Sequence, residues 1–171
     1  MARTNGVNAA PAFARMALAG ALLCLSAPAG GALALECAAE DGIYKMGFAD
    51  DAMLLMNPLA EPTAHSDLGI EISIEGHDGP FNFSLTASNG YSNVYAIPDA
   101  DTALEDGLMV FFFEEKSGRL MAYPDDIPSA GKPAPDAIFL PELGSALWYG
   151  TNGTDNPVMI TTGVWYLDDC R

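Results

Sequence analysis

The chain has 171 residues, with 23 acidic and seven basic side chains, two histidines, three cysteines and a formal net charge of −16. A polyanion of that density repels phosphate backbones and anionic lipid surfaces, which argues against nucleic acid and membrane-surface partners. The length suits one domain, and no internal repeat divides it.

The first residues read as a targeting segment. Arg3 and Arg15 give a positive start, and no acid precedes Glu36. Met16 to Leu25 is a ten-residue apolar run, the length of a signal-peptide core and too short to cross a bilayer. Pro28, Gly30 and Gly31 break it, and Ala32-Leu33-Ala34 offers small residues where signal peptidase reads. The sequence therefore predicts a signal peptide over 1–34 and a single acidic β-rich domain over 35–171, periplasmic or secreted. Cleavage before Leu35 leaves 137 residues, with five basic side chains against 23 acidic ones and a net charge of −18.

Cleavage also discards Cys24, so Cys37 and Cys170 remain as a lone pair at opposite ends of the domain. In an oxidising compartment such a pair becomes a disulfide, here one that closes nearly the whole chain.

Along the domain, Ile43 to Phe48 and Ala52 to Met56 read as strands separated by Asp50-Asp51. Ile70, Ile72 and Ile74 alternate with Glu71, Ser73 and Glu75, and after the turn residues Gly76 to Pro80, Phe81, Phe83 and Leu85 repeat the pattern. This predicts a β-hairpin with one buried and one wet face. Ser88-Asn89-Gly90 is a turn signal before a strand over Tyr91 to Ile97, and Pro98 to Gly107 is a loop with four acids. The continuous apolar run Leu108 to Phe113 predicts a strand buried on both faces. Lys116-Ser117-Gly118 turns it into Arg119 to Tyr123, and Pro124 to Asp136, with four prolines, reads as a stiff, extended loop. Ala137 to Leu140, Ala146 to Tyr149, Val158 to Thr162 and Val164 to Leu167 read as further strands, with Pro141 to Ser145 as one turn of helix. Eight to ten short strands of this kind predict an all-β fold: a small antiparallel barrel of about eight strands, or alternatively a β-sandwich. Joined termini suit a barrel whose first and last strands are neighbours.

Signatures of chemistry are absent: no G-x-S-x-G, H-E-x-x-H, C-x-x-C or phosphate-binding glycine loop occurs. His77 falls in the hairpin turn and His65 in a polar stretch, both poor settings for a catalytic base. No catalytic residue and no cofactor is expected. Asp99, Asp101, Glu105 and Asp106 place hard oxygen ligands within one loop, as an irregular calcium site requires. Trp148-Tyr149 and Trp165-Tyr166 are adjacent aromatic pairs, so in a strand one member of each points outward, where it can anchor a partner.

Thr86-Ala87-Ser88-Asn89-Gly90-Tyr91, with a cysteine near each end of a small acidic exported domain, resembles periplasmic inhibitors of c-type lysozyme. The resemblance covers six residues and the cysteine frame. It implies a small antiparallel barrel, no catalytic activity, and Ser88 and Tyr91 as binding residues reaching a basic enzyme's cleft. The family's downstream Trp and Lys pattern is not matched, since Trp148 is followed by Tyr149-Gly150-Thr151-Asn152. The sequence thus favours a non-enzymatic binding module for a basic protein. The alternative is a barrel for a small molecule or calcium, and a carboxylate hydrolase ranks third. No nucleic acid partner, and no membrane after signal removal, is expected.

Overall fold

A computed structural model describes residues 35–88, 93–102, 104 and 106–171, so the predicted signal peptide lies outside the described residues. After a single 3-10 turn at Ala39–Asp41, the strands are β1 (Gly42–Met46), β2 (Ala49–Pro58), β3 (Leu68–Ile74), β4 (Phe81–Ala87) and β5 (Val94–Pro98). They continue as β6 (Leu108–Lys116), β7 (Arg119–Ala122) and β8 (Ala137–Phe139), then helix α1 (Leu143–Thr151), then β9 (Val164–Cys170). Every named pairing is antiparallel. The order β5-β4-β3-β2-β1-β9-β8-β6 returns to β5, which closes eight strands into a barrel, and β7 pairs with the far half of β6 as a ninth, outer strand.

Period-two alternation decides what fills the barrel. Tyr44 and Met46, Leu54 and Met56, Ile70 and Ile72, Phe83 and Leu85, and Trp165 all point inward and are buried. Each such side chain contributes about 1.5–3 kcal/mol when withdrawn from water, so this packed interior is the main source of stability. First and last strands are neighbours, with Gly42 opposite Cys170, and the Cys37–Cys170 disulfide joins Cα atoms 5.8 Å apart. The hairpin β3–β4 and the barrel are therefore as expected.

Four local readings are corrected. The β1–β2 turn falls at Gly47-Phe48, so Asp51 lies inside β2, and its carbonyl accepts the Glu75 N–H at 2.7 Å. The run Leu108 to Phe113 is not buried on both faces: Leu108, Val110 and Phe112 point in, while Phe111 lies on the outer wall, stacked on Phe139 at 6.5 Å. A barrel has only one interior, so half of any wall strand faces out. Ala146 to Tyr149 is helical rather than extended, because Leu143, Leu147 and Thr151 recur every four residues and bury one face of α1. Val158 to Thr162 carries no ladder; the Val158 N–H bonds instead to Thr151 Oγ1 at 2.7 Å.

Candidate functional site

Strand direction sorts the connections into two ends. At one end lie both ends of the described domain, the 59–67 connection, Ser88, Asn93 and the proline-rich segment 124–136. At the other lie the β1–β2 and β3–β4 turns, the 99–107 connection and the 140–163 crossover that carries α1.

The first end is sealed. Ala39 N–H bonds to Lys132 O at 2.8 Å and Ala134 N–H to Cys37 O at 2.8 Å, zipping the proline-rich segment onto the amino-terminal one. Two phenols fasten the same segment from inside. Tyr44 donates to Pro135 O at 3.0 Å, and Tyr123 to Pro133 O at 2.6 Å. Burial, reinforced by Tyr123 and Asp136, pushes the Tyr44 phenol far above the usual tyrosine range. Carboxylates serve as clamps here: Glu40 accepts the Gly131 N–H at 2.8 Å and Asp67 the Ala130 N–H at 3.1 Å. The Arg171 guanidinium holds Asn57 Oδ1 at 2.8 Å, Met56 O at 2.7 Å and Glu40 O.

The second end is capped by α1 and left open around it. Gly144 sits where an added Cβ would lie 2.6 Å from Ile160 O, so only glycine lets the helix approach the crossover this closely. Thr151 Oγ1 donates to Leu147 O at 2.7 Å and ties the helix end to the same crossover through Val158. Thr102, buried, bonds both backbone groups of Asn82 and fixes the base of the acidic loop to β4.

Seven described acids stand on this end's connections: Glu75, Asp78, Asp99, Asp101, Asp106, Glu142 and Asp155, with no lysine or arginine among them. Of these seven side chains, only Asp99 has a hydrogen-bond partner among the described residues, Ser84 Oγ at 3.1 Å. Large apolar groups are exposed beside them: Phe48 at 62%, Tyr149 at 76% and Met159 at 79% of full exposure. The Phe48 ring lies over Gly163, whose missing side chain makes room for it. A cleft of about 650 Å³ opens between α1 and the 104–108 segment, with Leu104, Leu108 and Ala146 as apolar lining and Asp106, Glu142 and Tyr149 as polar lining. A second cleft of about 300 Å³ is lined by Asp78, Asp101 and Asp155 beside His77.

The residues singled out from the sequence fall on opposite ends. Ser88 belongs to the sealed end, where its Oγ is buried with no hydrogen-bond partner among the described residues; Tyr91 lies outside the described residues. Asp99, Asp101 and Asp106 belong to the helix-capped end, and Glu105 lies outside the described residues. Among the described residues, no group of three His, Cys, Asp or Glu side chains is placed to hold a metal ion. His65 is exposed, and His77 stacks on Phe81 at 4.6 Å with its Nδ1 3.1 Å from Gly79 O. Of the aromatic pairs, Trp165 is core and Tyr166 faces out as strand geometry requires, whereas Tyr149 faces out from a helix.

No protein family, curated protein or solved structure matches this chain. The chemistry of the helix-capped end therefore carries the functional reading alone. Phe48, Tyr149 and Met159 as a set escaped sequence reasoning. The absence of lysine and arginine from four separate connections was a visible signal, but only the strand order shows that those connections share one end.

Proposed function

We propose that the domain is an exported, non-enzymatic binding module that receives a basic protein at its helix-capped end. One observation carries this reading: carboxylates without a partner among the described residues and exposed apolar side chains share one end, whose connections hold no lysine or arginine. Long-range attraction steers a cationic partner there, and the exposed aromatics supply contact area that outlasts salt screening. Export supplies the oxidising setting that the Cys37–Cys170 disulfide needs. No helix among the described residues is long and apolar enough to cross a membrane. Inhibition of a basic enzyme such as c-type lysozyme is a second reading, implied by the resemblance of the 86–91 segment, and it would place the contact at Ser88 on the opposite end.

The test is calorimetric titration of the oxidised protein with a panel of basic proteins, c-type lysozyme first, at low and physiological salt. Stoichiometric binding that survives physiological salt and weakens on Phe48→Ala or Tyr149→Ala supports the helix-capped end. Weakening by Ser88→Ala alone would move the interface to the opposite end. Binding that disappears with salt for every basic protein would reduce the attraction to generic counter-ion behaviour and end the proposal.

A further inference from the structure

The cleft beside α1 has a chemistry narrower than that of the acidic end around it. We propose that it is a socket for an arginine side chain of the basic partner, an inference that rests on the function proposed above. Leu104, Leu108 and Ala146 offer apolar surface of the kind that the methylene stem of a long cationic side chain covers. Asp106 and Glu142 reach the same cleft from two different segments, and neither side chain has a hydrogen-bond or ion-pair partner among the described residues. Their charge is thus in place before any ligand arrives.

Tyr149 selects among cations. The residue lines the cleft and is 76% exposed, so its ring is accessible for stacking. Guanidinium is planar, weakly hydrated and forked: it stacks on an aromatic ring while its N–H groups bond to carboxylates. An ammonium group is compact and holds its water more tightly, so it gains less from the same wall. Anionic ligands are repelled by both carboxylates.

The experiment is an NMR titration of the isotopically labelled, oxidised protein with N-acetyl-arginine amide and, separately, N-acetyl-lysine amide. The arginine probe is expected to move the Ala146 methyl and Tyr149 ring signals and to bind several-fold more tightly than the lysine probe. Changing Asp106→Asn and Glu142→Gln together is expected to weaken it by about tenfold or more, as loss of charge-assisted hydrogen bonds implies. Tyr149→Phe retains the effect and Tyr149→Ala loses it, with unchanged signals of the buried Val158 and Trp165 showing that the fold is intact. The socket is overturned if the arginine probe leaves Ala146 and Tyr149 unmoved, if lysine binds as well as arginine, or if the double amide variant binds unchanged. A basic protein that docks at this end while the probe ignores the cleft overturns the socket alone. A probe seated in the cleft while no basic protein binds at physiological salt supports the socket and overturns the docking function.

Discussion

Carboxylates crowd both ends of the barrel, yet they behave differently at each. At the sealed end Glu40 and Asp67 accept backbone N–H groups from the proline-rich segment and Asp136 accepts the Glu115 N–H, whereas Glu36, Asp41, Glu61, Asp125 and Asp126 have no side-chain partner among the described residues. Lys132 and Arg171 stand among these acids, and the disulfide and Arg171 bind the termini to the wall. At the helix-capped end six of seven described carboxylates have no partner among the described residues, and Phe48, Tyr149 and Met159 stand in solvent. Carboxylates without a cation beside them repel one another, and exposed apolar groups cost free energy, so a cationic partner would offset both at the helix-capped end. The difference teaches that net charge alone identifies no site. What sets the helix-capped end apart is that its connections carry carboxylates and exposed apolar groups with no lysine or arginine beside them.

This contrast predicts that stability and binding separate by end. The largest effect belongs to the disulfide: Cys37→Ser with Cys170→Ser should lower unfolding free energy by roughly 4–5 kcal/mol in the chain-entropy model for a closure of this length. Urea denaturation of oxidised and variant proteins checks it. Gly144→Ala should cost about 1–3 kcal/mol, because the new methyl meets Ile160 O and the helix must shift. Unlike the disulfide change, it should also weaken partner binding, which calorimetry reads.

Tyr44→Phe removes the donor to Pro135 O and should cost about 1–3 kcal/mol at neutral pH. Its pH dependence has a definite sign. The folded Tyr44 holds its proton more tightly than the unfolded chain, whose phenol ionises near pH 10. Stability from this group is therefore full below about pH 10 and is lost as pH rises above it. The wild-type protein should lose stability above pH 10 more steeply than Tyr44→Phe, as thermal melts across that range would show. The smallest effect on stability is expected for Tyr149→Ala, within about 0.5 kcal/mol, since the side chain is exposed. A large loss there would break the separation between the ends.

Much of the barrel was legible because its strands alternate cleanly: the β3–β4 hairpin, the near-terminal cysteine pair and the β6–β7 turn at Ser117-Gly118 follow from local chemistry. Ser117 and Gly118 both take positive φ, 55° and 74°, as a two-residue hairpin turn demands. Helix α1 was missed because it spans nine residues and its Leu147-Trp148-Tyr149 core reads equally well as a strand. Both faces of β6 are apolar in sequence, which hid that one of them lines the outer wall. The site was harder still. Connections distant in sequence meet at one end only through the closure of β5 onto β6, a long-range fact that no window of residues contains.

The most direct test of the helix-capped end as the docking face is a residue-resolved NMR footprint of a basic partner at physiological salt. Shifts confined to 47–48, 75–80, 99–108 and 142–160 are expected, with the proline-rich segment 124–136 unmoved. Shifts centred on Ser88 and the sealed end, with the α1 signals silent, would contradict it.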